Sequence, residues 1–265
     1  MQVALAGVLG FPVAHSRSPD MQNAAFRILG LHWRYVKLPV PPALFTETVR
    51  ALPGSGFRGA NVTIPHKRAA LELADERTPS AAAIGAANTL TFLEHGRIEA
   101  HNTDAPGFIA ALGEDDVRGL RACVLGAGGA GRAVAWALRE AGAAEVSVWN
   151  RTPERATDLA KALGVTSVLR PPSSDLLVNA TSVGLEPRLD EAATLEALQL
   201  DQPAPIVVDL VYGETRTPLL EWADRAGSRT VDGLEVLVRQ GALSFERWTG
   251  LDAPLEAMRA AAASR

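Results

Sequence analysis

Residues 121–152 read Arg121-Ala-Cys-Val-Leu-Gly126-Ala-Gly-Gly-Ala-Gly131-Arg-Ala-Val-Ala-Trp-Ala-Leu-Arg-Glu140-Ala-Gly-Ala-Ala-Glu145-Val-Ser-Val-Trp-Asn150-Arg-Thr152. A short apolar run opens onto a glycine-rich turn, and an alanine-rich pattern with helical spacing follows. Strand, glycine turn and helix, in that order, form the phosphate grip of a dinucleotide-binding unit. Gly126 suits the tight turn, Gly128 lets backbone N–H groups reach a pyrophosphate with no Cβ in the way, and Gly131 allows helix and strand to pack closely. Ala127, Gly129 and Ala130 complete the loop. A glycine turn that binds nothing would look the same over these residues, so the segment beyond them decides.

A helix predicted over 131–141 is followed by Glu145-Val-Ser-Val-Trp149, a second parallel strand, which ends in Asn150-Arg151-Thr152. Sites for NAD usually carry an acidic residue about 20 positions past the glycines, where it holds the ribose 2′-hydroxyl. Arginine stands there instead. Its planar fork of donors suits a phosphate dianion, and Arg155, four positions on along the next helix, can face the same pocket. The cofactor read from these residues is therefore NADP, with Asn150 and Thr152 flanking the phosphate-binding arginine.

Of the 265 residues, 47% are hydrophobic and 21% charged, and the net charge is −4. That is the make-up of a globular chain long enough for one large or two modest domains. It offers no basic stripe for nucleic acid and no run of about 18 apolar residues for a membrane span. The apolar start, Val3-Ala-Leu-Ala-Gly-Val-Leu-Gly-Phe-Pro-Val-Ala14, has no Lys or Arg before it and so does not read as a secretory leader. Cys123, the single cysteine, reads as a buried, inert thiol of a reducing, cytoplasmic compartment. Only Lys37, Lys67 and Lys161 are lysine among 26 Lys and Arg residues. Each lysine in such a chain needs a reason.

Residues 2–10 predict a first strand, and a helical pattern begins at Met21. Ser18 as N-cap with Pro19 at the first helical position is a good helix start. Ser16 is left without a structural task, and two hydroxyls at the loop end of a first strand suit a ligand bearing several oxygens. Strands over 33–38 and 59–63, with a helix over 43–52 between them, predict a mostly parallel sheet with right-handed crossovers. The third strand runs into Asn61-Val-Thr63-Ile-Pro-His66-Lys67. Pro65 fits the first turn of a helix reaching Ala74, which puts Lys67 near a helix N-terminus, where the macrodipole disfavours a cation. A structural lysine is a poor choice there. A chemical one makes sense, because an ammonium is compact and, unlike a guanidinium, can exchange a proton at accessible pH. His66 titrates in a useful range, but adjacent side chains on a helix point in different directions.

Two further strands are predicted over 88–93 and 98–101, the second ending in Asn102-Thr103-Asp104 ahead of a helix over 107–112. Asp104 or Thr103 can cap that helix; alternatively Asp104 pairs with Lys67 and positions its ammonium. The dinucleotide unit continues with strands over 166–169, 175–179, 206–210 and 229–231. The carboxyl ends of such strands carry ligand contacts, here Asn179-Ala-Thr181-Ser182-Val-Gly184, Asp209-Leu-Val211-Tyr212-Gly213 and Asp232-Gly233-Leu234. A long helix over 234–248 and another after Pro254 return to cover the N-terminal sheet, bringing Gln240 to the ligand cleft. No metal is expected.

Taken in order, Ser16-x-Ser18-Pro19, Asn61-Val-Thr63-x-Pro65-x-Lys67, Asn88-Thr, Asn102-Thr-Asp104, the glycine loop, Asn150-Arg-Thr152, Asn179-Ala-Thr-Ser182-Val-Gly184, Asp209-Leu-Val-Tyr212 and Asp232-Gly-Leu resemble the shikimate dehydrogenase family over nearly the whole chain. The resemblance implies a two-domain α/β fold: a mostly parallel substrate domain (1–103 plus 238–265) and a Rossmann-type doubly wound NADP domain (104–237), with the cleft between them closing on ligand. It implies reversible NADPH-dependent reduction of 3-dehydroshikimate to shikimate, on the route to chorismate and the aromatic amino acids, by a monomer or homodimer. It implies that Ser16, Ser18, Asn61, Thr63, Asn88, Asp104 and Gln240 hold the substrate's hydroxyls and carboxylate with Tyr212 nearby, and that Lys67 and Asp104 are the catalytic pair. The cofactor set it implies is Gly126, Ala127, Gly128, Gly129, Ala130, Asn150, Arg151, Thr152, Arg155, Thr181, Ser182, Val211 and Gly233. Gly131 departs from the serine that many relatives carry.

Three rival readings are weaker. A relative accepting quinate and NAD should carry an acidic residue where Arg151 stands. A binding protein on the same fold has no need of Lys67 and Asp104 together. A folate-type NADP dehydrogenase has no need of the two serines and Asn102-Thr103-Asp104, which suit a polyhydroxy acid.

Overall fold

A computed structural model describes residues 3–185, 189–213 and 215–264; Gln2, where the first strand is predicted to start, lies outside them. The chain divides into two units, Met1–Gly107 with Leu237–Arg265, and Phe108–Val236. Among the described residues no helix is long and apolar enough to cross a membrane.

The first unit is built on β1 (Ala4–Gly10), β2 (Trp33–Pro39), β3 (Phe57–Val62), β4 (Glu76–Arg77), β5 (Thr89–Phe92) and β6 (Ile98–His101). They form one sheet in the order β2-β1-β3-β5-β6-β4. β1 is parallel to β2 and β3, and β4 to β6, whereas β5 runs against both of its neighbours. That reversal positions the site. Thr89 at the amino end of β5 pairs with Asn61 near the carboxyl end of β3 and with His101 at the end of β6. The loops leaving β1, β3 and β6 and the residue entering β5 therefore share one sheet edge. Leu9, Val62, Leu90 and Ile98 pack with Phe45, Val49 and Leu71 in one apolar cluster, each such side chain contributing about 1.5–3 kcal/mol when fully buried.

Three local expectations are corrected. Ser18 does not cap its helix, Ser18–Ile28: Arg17 is the N-cap and no side chain serves it. The Met21 N–H, which a Ser18 cap could have taken, bonds to Arg17 O at 3.3 Å, and Ser16 Oγ accepts from the Ser18 N–H at 3.3 Å. Pro65 is not in the first helical turn, because the helix is Lys67–Leu73 with His66 as N-cap. A turn from the His66 N–H to Thr63 O (2.9 Å) and the fixed His66 ring, 2.7 Å from Val40 O and stacked on Phe45 at 4.3 Å, delay the helix by two residues. Finally, the helix Asp104–Leu112 is capped by neither Thr103 nor Asp104. Asn102 Oδ1 accepts from the Ala105 N–H at 3.1 Å, which leaves the Asp104 carboxylate free to face Lys67.

In the second unit β7 (Arg121–Leu125), β8 (Glu145–Trp149), β9 (Thr166–Val168), β10 (Leu176–Asn179), β11 (Ile206–Asp209) and β12 (Arg229–Asp232) form a wholly parallel sheet in the order β12-β11-β10-β7-β8-β9. The winding reverses between β7 and β10, and the crevice outside the carboxyl ends at such a point is where doubly wound sheets bind ligands. The helix after the glycine turn, Gly129–Glu140, starts two residues earlier than expected. Gly131 thus lies inside its first turn, where an added Cβ would sit 1.9 Å from Gly126 O. Cys123 is fully buried, and burial pushes its thiol up to about 11.

Close helix packing in the first unit rests on Gly107, where an added Cβ would lie 2.7 Å from the backbone of Gln240 in the helix Gly233–Thr249. Alanine is otherwise worth about 1 kcal/mol over glycine inside a helix, but overpacking against rigid backbone costs about 1–3 kcal/mol, and here the clash should win. Gly107→Ala is expected to lower the thermal midpoint of the protein; an unchanged or raised midpoint would contradict this packing.

Candidate active site

Lys67 is the first residue of the helix that follows β3, and it cannot rest on the helix dipole. Asp104, at the start of the helix after β6, supplies the counter-charge: Lys67 Nζ donates to Asp104 Oδ2 at 2.6 Å. Both side chains are mostly enclosed, 14% and 17% exposed. A pair this removed from water needs further hydrogen bonds to offset desolvation. Asn88 provides one, its Nδ2 donating to Asp104 Oδ1 at 2.8 Å. Asn88 is itself fixed by the Thr103 N–H donating to its Oδ1 (2.7 Å) and by Gln240 Oε1, 3.1 Å from its Nδ2. Gln240 is held in turn, donating to Leu237 O at 2.7 Å.

Asn61 is buried beneath this group. Its Nδ2 faces Asn88 O, Thr89 Oγ1 and Ser244 Oγ, and its Oδ1 accepts from the Tyr35 hydroxyl at 2.8 Å. Tyr35, Thr103 and Ser244 were not anticipated. Their partners lie 14–183 positions away in sequence, and only the Asn102-Thr103-Asp104 motif hinted at one of them. Thr63 is half-buried where the chain leaves β3, its N–H bonded to Leu9 O at 2.8 Å. Ser16 and Ser18 are buried after β1; the structure links them to each other rather than to the Lys67 group. His66 is committed to Val40 and Phe45, and burial lowers its imidazolium below the usual range.

In the second unit Gly126 adopts φ +107°, and an added Cβ there would lie 2.8 Å from Ala180 O. Gly128 differs: among the described residues no atom lies within 4 Å of where its Cβ would sit. Packing among the described residues does not require glycine at 128, and the space there opens at the N-terminus of the helix Gly129–Glu140, where backbone N–H groups favour an anion. Asn150 ties this loop to the next one, accepting from the Ala127 N–H at 3.1 Å and donating to Thr152 O at 2.9 Å. Arg151 and Arg155 are exposed, and among the described residues neither guanidinium makes a hydrogen bond or ion pair. Thr181 and Tyr212 are half-buried, Ser182 is exposed and Val211 is buried. Gly233 is required by packing, since a Cβ would meet Leu210 O at 2.5 Å.

Asp209, at the end of β11, belongs to a motif in which the residues alone give it no task. Its buried carboxylate accepts from Asn179 Nδ2 (2.9 Å), the Val211 N–H (3.0 Å) and Thr217 Oγ1 (2.7 Å). Burial, the dominant effect, and the charge of Asp232 push it up to about 7 against those three donors.

Family models match most of the chain: "Shikimate dehydrogenase substrate binding domain" over residues 8–90, "Shikimate / quinate 5-dehydrogenase" over 109–211 and "Shikimate 5'-dehydrogenase C-terminal domain" over 233–263. The NADP(+) shikimate dehydrogenase of Methanopyrus kandleri is 46% identical, across 97% of this chain and 94% of its own. That of Methanothermobacter thermautotrophicus is 43% identical, across 96% and 94%. The crystal structure of shikimate 5-dehydrogenase from Thermus thermophilus, in complex with NADP(H) and shikimate, superposes with a TM-score of 0.85 at 43% identity, covering 98% of each chain.

Because the carboxyl group of Asp209 is raised from 3.8 to about 7 in the folded protein, the native state binds its proton more tightly than the unfolded chain does. Its contribution to stability is complete below the unfolded value and is lost as pH rises through the folded one. Urea unfolding at about pH 5 and about pH 8 should show wild type losing stability relative to Asp209→Asn as pH rises; a pH-independent difference would contradict it.

Proposed function

The chain belongs to the shikimate dehydrogenase family, and from that membership we propose that it interconverts 3-dehydroshikimate and shikimate with NADP(H), a step towards chorismate and the aromatic amino acids. The observation that carries the reading is the Lys67–Asp104 pair, 2.6 Å apart at a sheet edge furnished with amides and hydroxyls. As a ketone becomes an alcohol its oxygen gains negative charge and then a proton. The Lys67 ammonium does both jobs: its charge stabilises the oxygen as the electrons arrive, and Nζ–H passes the proton. Asp104 holds Nζ in place. Ser16, Ser18, Asn61, Thr63, Asn88 and Gln240 are assigned to the substrate's hydroxyls and carboxylate, and Tyr212 joins them on family grounds alone.

NADPH, when bound, supplies the hydride. The chain's residues fit it: the open space at Gly128 leaves room for a pyrophosphate along Gly126, Ala127, Gly128, Gly129 and Ala130, and Arg151 and Arg155 offer their exposed guanidinium groups to a 2′-phosphate. Asn150 and Thr152 shape that end. Thr181, Ser182, Val211 and Gly233 are assigned to the remainder of the cofactor.

Absorbance of NADPH formed from shikimate and NADP tests the assignment, run beside quinate and NAD. Wild type should favour shikimate with NADP, and Lys67→Ala should lose ~10²–10⁴-fold in kcat while still binding shikimate. Shikimate binding without turnover by wild type would defeat the enzymatic reading, and equal use of NAD would defeat the cofactor assignment. Arg151→Ala should raise the KM for NADP about ten-fold or more and leave that for NAD nearly unchanged, since a charge-assisted phosphate contact is lost; parallel changes would remove Arg151 from the site.

A further inference from the structure

The chemistry above makes no use of Asp209, yet the described residues of the second unit converge on it. It is 1% exposed, and among the described residues the only charge acting appreciably on its carboxylate is that of Asp232, of the same sign. A buried carboxylate with no cation is costly, so its three donors need explaining. Each donor comes from a different segment: Asn179 ends β10, Val211 follows β11, and Thr217 caps the helix Pro218–Arg225. The Val211 N–H and the Asn179 amide can only donate here, and a side chain with two acceptor oxygens satisfies them together with Thr217. Asn179, fully buried, relays the constraint. Its Oδ1 accepts from the Thr181 N–H (3.0 Å) and Oγ1 (2.7 Å), its Nδ2 also donates to Val183 O (3.1 Å), and Thr181 Oγ1 accepts from the Val183 N–H (3.0 Å).

We propose that Asp209 is a positioning residue for the cofactor: through Asn179 and the Val211 N–H it sets the two strand-end loops that carry Thr181, Ser182 and Val211. This rests on the assignment of those three residues to NADP. Asp209 touches neither ligand; it fixes the backbone from which the contacting groups project. Its loss therefore falls first on cofactor affinity and spares the rate at saturating cofactor; the substrate, which meets these loops only at Tyr212 among its assigned contacts, is held nearly as before. Asparagine at 209 keeps one acceptor oxygen for Val211 and Asn179 and turns an NH₂ towards Thr217, so it should recover much of the effect.

The test is calorimetric titration with NADP and, separately, with shikimate, alongside steady-state kinetics, for wild type, Asp209→Ala and Asp209→Asn. Asp209→Ala should raise the Kd and KM for NADP about ten-fold, with the Kd and KM for shikimate and kcat at saturating NADP within about two-fold of wild type, and Asp209→Asn should fall between the two. A folded Asp209→Ala protein that binds NADP as wild type does, or that loses affinity for both ligands equally, overturns the proposal. Should Asp209→Ala fail to fold, Asp209→Asn decides: weaker NADP binding with unchanged shikimate binding supports it, and unchanged NADP binding overturns it. Wild type that binds NADP but does not oxidise shikimate would instead count against the reaction assigned above, since binding and turnover are read separately.

Discussion

An ammonium and a carboxylate drawn mostly out of water are stable together only if the remaining lone pairs and protons find partners, and much of the first unit is arranged around meeting that condition for Lys67 and Asp104. The antiparallel course of β5 brings Asn88 to the sheet edge where β3 and β6 deliver the two charges. Asn102, by taking over the helix cap, leaves Asp104 available. The returning helix sets Gln240 against Asn88, and it can come that close because residue 107 has no side chain. Beneath them, Asn61, Thr89, Thr103, Ser244 and Tyr35 share hydrogen bonds in a buried layer. A layer of this kind rigidifies its surroundings when every member is satisfied, and the amides at the edge inherit fixed positions.

The second unit is organised differently, around a glycine turn and the carboxyl ends of parallel strands. Its glycines differ in what surrounds them: Gly126 and Gly131 are required by the protein's own packing, while among the described residues Gly128 faces open space. Buried amides and a buried carboxylate then link the strand ends. Asn150 joins the glycine loop to the arginine loop, and Asp209 with Asn179 joins the loops after β10 and β11. Polar side chains at the ends of parallel strands thus act as braces inside the sheet edge, while residues such as Arg151 and Ser182 remain exposed.

Much of this was legible in the residues because it depends on short range. β7 and β8 fall at the residues that their apolar runs marked, and the glycine turn lies where strand, turn and helix signals coincide. The helix Pro79–Ile84 carried readable signals too, a Thr78 cap, Pro79 and a left-handed Gly85, but its alanines show no amphipathic period; Glu191–Leu198, capped by Asp190, is similar. What the sequence could not announce is pairing across long separations. Ser18 reads as a cap until Arg17 is seen to open the helix and Ser16 to accept the Ser18 N–H, and nothing near Asn61 in the chain announces the Tyr35 and Ser244 hydroxyls that reach it from 26 and 183 residues away. Asp209 was hidden for another reason: Val211 and Thr217 lie only two and eight residues on, but nothing in the residues marks them as its donors.

In the proposed reaction Lys67 and Asp104 act as one unit. A double-mutant cycle in kcat, measured at saturating shikimate and NADP for Lys67→Ala, Asp104→Ala and the doubly substituted protein, tests it most directly. If Asp104 acts by holding the ammonium, removing it after Lys67 is gone changes little, and the double variant should turn over within about three-fold of Lys67→Ala alone. Losses that multiply would mean that the two side chains contribute independently, and would contradict the account.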